Sequence, residues 1–130
     1  MNETQLIKYA PIVLRLGISA VYIWFGNAQI TNTSLWVGMV PLWATEFLGV
    51  DATTMVLLNG WFELLAATFL ILGVYVRWVA ALLFIHLAVI TIHLGYNPVG
   101  VRDFGLSLAT LALSLFGADD FCLQSNNKNM

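Results

Sequence analysis

The sequence contains few charged residues. Asp, Glu, Lys and Arg together make up 9% of its 130 residues, where roughly 25% is usual for a soluble domain. A soluble protein of this size needs more charge to cover its surface, and a disordered chain needs fewer apolar residues. The five lysines and arginines, with a formal net charge of −2, provide no basic patch for nucleic acid. The composition therefore excludes a soluble globular domain, a disordered chain and a nucleic-acid-binding protein.

Cysteine is almost absent, and the common catalytic motifs are missing. The single cysteine, Cys122, can form neither an internal disulfide bond nor a zinc site alone, and we expect it to lie without a role in a polar tail. The sequence has no nucleophile-and-base set, phosphate-binding loop, CxxC or HExxH, so covalent catalysis and a protein-only metal centre lack support. We expect no encoded cofactor, and the sequence identifies no catalytic residue.

Apolar residues are abundant instead, at 60% of the chain with a mean hydropathy of +0.85. A helix that crosses a bilayer needs about 20 predominantly apolar residues. Four segments of this kind are present, at about residues 9–30, 52–75, 76–96 and 99–118. The sequence therefore predicts a single all-α membrane domain, a bundle of four transmembrane helices, followed by a polar tail over 119–130.

The connector between the first two spans, residues 31–51, is not a plain loop. Proline is favoured in the first turn of a helix, and after Pro41 come the apolar residues Leu42, Trp43, Phe47 and Leu48. We expect a short interfacial helix here, on the outer face of the membrane. It could serve as a membrane anchor or as a lid over a site.

The orientation follows from lysine and arginine, which are enriched on the cytoplasmic side. The N-terminal end, the turn between the second and third spans and the tail contain Lys8, Arg15, Arg77 and Lys128, whereas the opposite side has only Arg102, next to Asp103. We therefore expect both termini to face the cytoplasm.

Polar and small residues recur at intervals of three and four along the spans. Helices in lipid associate through small residues and hydrogen bonds, so these positions are predicted to face inward. They are Arg15, Ser19, Tyr22, Gly26 and Gln29 in the first span; Asn59, Glu63, Ala66, Leu70 and Gly73 in the second; His86, Ile90, His93 and Asn97 in the third; and Asp103, Ser107, Thr110, Ser114 and Gly117 in the fourth.

Glu63 lies near the middle of its span, and Tyr22 and His86 fall at similar depths when counted at about 1.5 Å per residue. A lone charge at the bilayer centre costs about 2.5–3.5 kcal/mol on insertion scales. Glu63 is therefore expected to pair with Arg15 or His86, or to stay protonated through desolvation.

A second polar group lies nearer the outer surface and comprises Asn27, Gln29, Asn59, His93, Asn97, Arg102 and Asp103. Our candidates for ligand binding or proton handling, from both groups, are Glu63, His86, His93, Arg102, Asp103, Asn59, Arg15 and Tyr22. Each has a structural alternative: a packing hydrogen bond for most of them, a structural ion pair for Arg15, and a helix cap paired with Arg102 for Asp103. His86 and His93 lie about 10 Å apart along a helix axis, so they cannot hold one metal together.

At these residues the chain resembles the DoxX family of small bacterial and archaeal membrane proteins. The resemblance covers about residues 10–118 and departs at Gln29, where the family often has lysine. The motifs that carry it are Val13-Leu14-Arg15-Leu16 with Trp24-Phe25-Gly26, Gly60-Trp61-Phe62-Glu63-Leu64-Leu65 with Leu70-Ile71-Leu72-Gly73 and Arg77, and Val101-Arg102-Asp103-Phe104-Gly105-Leu106.

The resemblance implies a four-span bundle in the cytoplasmic membrane that in some members belongs to a redox complex, such as the DoxD-type subunit of thiosulfate:quinone oxidoreductase. Our leading hypothesis is a membrane subunit of an oxidoreductase system with a quinone-type or other small ligand among the helices near the outer face. The alternative is a non-catalytic structural or assembly subunit that binds other membrane or redox subunits or forms a homo-oligomer. A small transporter or channel is disfavoured because the four helices have no aqueous lining.

Overall fold

The computed structural model describes residues 1–124, which are helical apart from short connections. Four of the helices are long and apolar enough to cross a membrane. The predicted all-α membrane architecture, with a short helix between the first two spans, is therefore confirmed. The elements are α1 (Glu3–Thr31), two 3-10 turns (Thr33–Leu35 and Val37–Met39), α2 (Leu42–Leu48), α3 (Ala52–Leu72), α4 (Val76–Leu94) and α5 (Pro98–Phe116). We call the end of the bundle that carries α2 the connector end, and the end where α1 begins the terminal end.

The first helix begins at Glu3, well before the expected start of the apolar span at residue 9. A capping box fixes this start, because the Asn2 side chain accepts a hydrogen bond from the Gln5 amide at 3.0 Å and the Asn2 amide donates to Gln5 Oε1 at 3.1 Å. These bonds satisfy amides that a helix start leaves without partners. The helix therefore includes residues 3–8, which precede the apolar segment.

The connection between α3 and α4 consists of residues 73–75, whereas Arg77 was expected to lie in this turn. Gly73 adopts a left-handed conformation with φ +73°, and its amide donates to the Leu70 carbonyl, a common way to end a helix. Tyr75 also has a positive φ, of 50°. Val76 and Arg77 thus lie in the first turn of α4.

The four long helices form two close pairs, α1 with α3 and α4 with α5, and contacts between the pairs are sparser. In the first pair two glycines meet: a Cβ atom on Gly26 would lie 2.8 Å from the Gly60 carbonyl oxygen, and one on Gly60 would lie 2.9 Å from the Gly26 oxygen. In the second pair, Ser114 Oγ donates to the Arg77 carbonyl at 3.0 Å. The looser contact between the pairs leaves room for a cavity.

The predicted inward stripes are buried in α1 and α5 but not in α4. All the stripe residues of α1 and α5 are buried, and in α3 all except the half-buried Asn59. For α4 the prediction was wrong, because its buried face consists of Val76, Ala80, Leu83 and Leu87, while His86 is half-buried and His93 is exposed. Small and branched apolar residues therefore make the contact with α5 and turn the histidines toward α3.

Arg15 anchors the terminal end of the bundle. Its guanidinium is buried, donates to Asp119 Oδ2 at 2.7 Å, and donates to the Leu70 and Ile71 carbonyls at 2.7 and 2.9 Å. Burial alone would raise the pKa of Asp119, but the hydrogen bonds from Arg15 and from the Phe121 amide outweigh it and hold this pKa below its usual value. One ion pair thereby joins α1, the end of α3 and the chain after α5.

The segment after α5 is packed against the bundle as far as Gln124 and is not a separate polar tail there. The Leu123 and Gln124 amides donate to the Leu72 and Gly73 carbonyls at 3.0 and 3.1 Å. Cys122, for which we expected no role, is buried in the core, and this burial raises the pKa of its thiol. The rest of the predicted tail, residues 125–130 with Lys128, lies outside the described residues.

Candidate ligand-binding site

A cavity of about 330 Å³ lies between the two helix pairs at the connector end. Every α-helix contributes to its lining, and most of that lining is apolar. Its volume falls within the range of roughly 300–1,000 Å³ that small-molecule sites occupy. The cavity is therefore large enough for a small organic ligand.

Seven of the eight candidate residues line this cavity, and Arg15 does not. The seven are Tyr22, Asn59, Glu63, His86, His93, Arg102 and Asp103. Tyr22, Glu63 and Asp103 are buried, Asn59 and His86 are half-buried, and His93 and Arg102 are exposed. Side chains from four separate helices thus converge on one apolar chamber.

Glu63 is the centre of a hydrogen-bond network in the cavity wall. Its carboxylate is 4% exposed and accepts hydrogen bonds from Gln29 Nε2 at 3.0 Å and from Asn59 Nδ2 at 3.1 Å. Asn59 Nδ2 also donates to Gln29 Oε1 at 2.6 Å. Two amide groups from two helices therefore hold the carboxylate in place.

His86 lies beside this network without joining it. Its Nε2 atom is 3.7 Å from Glu63 Oε1, which is too long for a hydrogen bond. This Nε2 is buried and has no hydrogen-bond partner within residues 1–124. Leaving a buried polar atom unpaired costs about 1–3 kcal/mol, so a ligand that bonded to His86 would recover that energy.

Glu63 was expected to pair with Arg15 or His86, and the pairing with Arg15 is wrong. Arg15 lies at the terminal end, where Asp119, a residue assigned by sequence to the tail, neutralises it. Among the described residues, the histidine, lysine or arginine side chain that lies within ion-pair distance of Glu63 is that of His86. Tyr22 is deep in the same cavity, and its hydroxyl lies 3.2 Å from Thr110 Oγ1.

Arg102 and Asp103 form an ion pair at the wall nearest the connector. Arg102 Nη2 lies 3.0 Å from Asp103 Oδ1, and the guanidinium stacks 4.9 Å from the centroid of the Phe25 ring. Trp36 meets Phe25 edge to face at 5.8 Å. One face of the guanidinium therefore lies against an aromatic ring, while Arg102 as a whole stays exposed.

One interpretation of the sequence was that Asp103 caps the helix of the fourth span, which is α5. The structure shows that it does not. The cap is Asn97, whose side chain accepts a hydrogen bond from the Gly100 amide at 2.8 Å. Asp103 lies in the second turn, is 6% exposed and faces the cavity. Its charge is thus available to the site and is partnered by Arg102.

The short helix α2 covers part of the cavity with one face. Trp43 and Ala44 line the cavity, whereas Leu42 and Phe47 point outward and are 72% and 85% exposed. The face with Trp43 and Ala44 is compatible with a lid over the cavity. The exposed face with Leu42 and Phe47 is compatible with a membrane anchor, so α2 can serve as both.

Gln29 is the main site residue that the sequence analysis did not select. It was noted as part of an inward stripe and as the departure from the family's lysine, and both signals pointed to it. Its amide donates to Glu63, so a neutral donor lies beside the carboxylate. Within residues 1–124 the structure brings together no group of three or more His, Cys, Asp or Glu that could hold a metal.

The comparison with known proteins agrees with this architecture. The sequence model of the DoxX family matches residues 10–95, which include Arg15, Glu63, His86 and His93. No curated protein and no solved structure matches the chain. Because the match spans well over half of the sequence, this multi-pass membrane protein belongs to the DoxX family.

Proposed function

We propose that this protein binds a quinone-type molecule in the cavity and acts as a membrane subunit of an oxidoreductase system. The observation that carries the proposal is that His86 lines a largely apolar chamber and that its Nε2, beside the buried Glu63 carboxylate, has no hydrogen-bond partner within residues 1–124. Ligand sites in proteins combine apolar walls with a few convergent polar groups in this way.

The residues present fit the chemistry of such a ligand. A cavity of about 150 Å³ is enough for a benzene ring, so 330 Å³ accommodates a substituted ring. A quinone has two carbonyl oxygens on opposite sides of its ring, and each needs a donor. His86 would hold one oxygen deep in the cavity, and Arg102 or His93 would hold the other nearer the connector.

A bound quinone would supply the capacity to accept two electrons together with two protons. The part of this chain is to bind and orient the ring, to exclude water and to deliver protons. His86 can donate a proton from Nε2 to a ligand oxygen. Glu63, at 3.7 Å, would stabilise the protonated imidazole.

The electrons are expected to come from a partner, because the sequence carries no motif that indicates a redox centre. We propose a redox protein or a second membrane subunit for this role, in a bacterial or archaeal cytoplasmic membrane. Lys8, Arg15 and Arg77 lie toward the terminal end, which supports cytoplasmic termini and a cavity in the outer half of the bilayer. Reporter fusions at each terminus should be active only when the reporter works in the cytoplasm.

The test of the proposal is quinone binding by the purified protein. Organic extraction is expected to release a quinone, and adding a benzoquinol with a decyl chain should raise the unfolding temperature. Trp78→Phe, at an outward position that is 72% exposed, should behave as the wild type.

Absence of both a bound quinone and a thermal shift would overturn the proposal. Co-purification of one stoichiometric partner, with Glu63→Gln and His93→Ala harmless to the activity of that complex, would favour a structural or assembly subunit instead.

A further inference from the structure

The seam between α3 and α4 is lined by two matching stripes of residues. Although three residues join these helices, their contact is much sparser than that within the two close pairs. Each stripe repeats at intervals of three and four, so its members share one helix face. On α3 the stripe is Met55, Asn59, Phe62, Ala66 and Phe69, and on α4 it is Val79, Leu82, His86, Val89 and His93.

A second cavity, of about 200 Å³, lies on this seam toward the terminal end. We call it the seam groove, and its lining consists of Phe62, Leu65, Ala66, Phe69, Val79 and Leu82. All six side chains are apolar. The polar members of the two stripes, by contrast, all line the first cavity.

The first cavity and the seam groove adjoin each other at His86 and Phe62. The two rings are in contact, with centroids 4.9 Å apart, and one lines the first cavity while the other lines the groove. The His86 side chain is 27% exposed at this junction. From Phe62 to Phe69 the groove extends about 10 Å along the helix axis.

We infer that the seam groove binds the apolar chain of the same ligand whose polar ring lies in the first cavity. This inference rests on the proposed function and narrows the ligand to an amphiphile with one unbranched or isoprenoid chain. The occupant follows from the position of the two cavities, which adjoin each other along one pair of stripes, and from the change from polar to apolar lining at the junction. Such a ligand enters from the bilayer, through the gap between α3 and α4.

The experiment compares two probes that share one ring: a benzoquinone with a decyl chain and the same benzoquinone with a methyl group. Binding is measured to the protein in lipid nanodiscs, with each dissociation constant referred to the probe concentration in the bilayer. Wild type should bind the decyl probe about tenfold more tightly, the ratio that roughly 1.4 kcal/mol produces.

Leu82→Trp places a larger ring at the rim of the seam groove, where Leu82 is 58% exposed. This variant should lose the preference for the decyl probe and keep the wild-type affinity for the methyl probe. Leu58→Trp is the matched control, because Leu58 is 56% exposed on α3 and lines neither cavity. If Leu82→Trp does not fold, Leu65→Trp tests the same groove from its opposite wall.

The outcomes separate this inference from the function on which it rests. Failure of wild type to bind either probe would overturn the proposed function, and the inference with it. Equal binding of the two probes by wild type would overturn the inference alone. So would an unchanged chain preference in the folded groove variant, which would mean that the groove holds only ordinary membrane lipid.

Discussion

The two ends of the bundle use the same types of residue in different ways. At the terminal end, Arg15 is buried and its donors are taken up by Asp119 and by two backbone carbonyls. At the connector end, Glu63 is just as buried, but the nearby His86 lines a cavity and its Nε2 has no hydrogen-bond partner in the described part of the chain. Complete pairing within the chain marks a structural group, and incomplete pairing beside empty volume marks a binding group.

The difference also has an energetic side. Polar groups that are fully paired contribute to the stability of a membrane protein through hydrogen bonds between its segments. A polar group that is left unpaired lowers stability and is retained where a ligand completes its bonding. Substitutions at the terminal end should therefore mainly lower stability, and substitutions at the connector end should mainly weaken ligand binding.

The largest loss of stability is expected for Arg15→Met, which leaves Asp119 buried without its partner. Removing one member of a buried ion pair costs about 3–5 kcal/mol. Thermal unfolding in detergent should show this loss, and the double variant Arg15→Met with Asp119→Leu should recover much of it. A double variant as unstable as Arg15→Met would show that the pair is not the structural element we describe.

The next largest effect is expected where α1 touches α3. Gly26→Ala would bring a Cβ atom to 2.8 Å from the Gly60 carbonyl oxygen, and overpacking of this kind costs about 1–3 kcal/mol. Gly17→Ala is the control, because a Cβ atom there meets nothing within 4 Å. Equal unfolding temperatures for the two variants would contradict the close approach of these helices.

An effect of similar size is expected for the Glu63 network, where two variants should differ. Glu63→Ala removes the acceptor of both amides and should lower stability by about 1–3 kcal/mol. Glu63→Gln keeps an oxygen acceptor and should lose less. Folded yield and unfolding temperature measure the difference, and equal values would mean that the carboxylate is not held as the structure has it.

The smallest expected effect is a pH dependence at the terminal end. Because the pKa of Asp119 lies below its usual value of 3.8, its ion pair stabilises the fold above that pH. This stabilisation is lost as the pH falls from 3.8 through the lower pKa of the folded state. Asp119→Asn should show a shallower loss of stability on acidification, and identical pH profiles would contradict the assignment.

The fold was predictable to a large extent, because the four apolar segments and the inward stripes of α1 and α5 are strong local patterns. The inner face of α4 was not, since Ala80, Leu83 and Leu87 compete with the histidine stripe and only the contact with α5 decides between them. The Arg15–Asp119 pair joins residues far apart in sequence, and Asp119 follows the last apolar segment. Polarity alone therefore assigned Asp119 to a tail.

The individual residues of the candidate site were predictable from the sequence, but their hydrogen-bond partners and the cover of the cavity were not. Periodicity and depth selected Glu63 and His86, and the structure brings both to one cavity. The role of Gln29 as the donor to Glu63 depends on how α1 packs against α3. The cover formed by Trp36 and Trp43 depends on how the connector folds back over the helices. No pattern in the sequence fixes that path.

The most direct test of the account is the ligand-induced change in unfolding temperature of His86→Phe, measured beside wild type with the decyl benzoquinol. Phenylalanine keeps the ring beside Phe62 and removes the unpaired nitrogen, so without ligand this variant should unfold at the wild-type temperature or above it. With ligand, wild type should be stabilised and His86→Phe should not, whereas the double variant Arg15→Met with Asp119→Leu should keep the shift. A full ligand shift in His86→Phe would contradict the assignment of the connector end as the binding site.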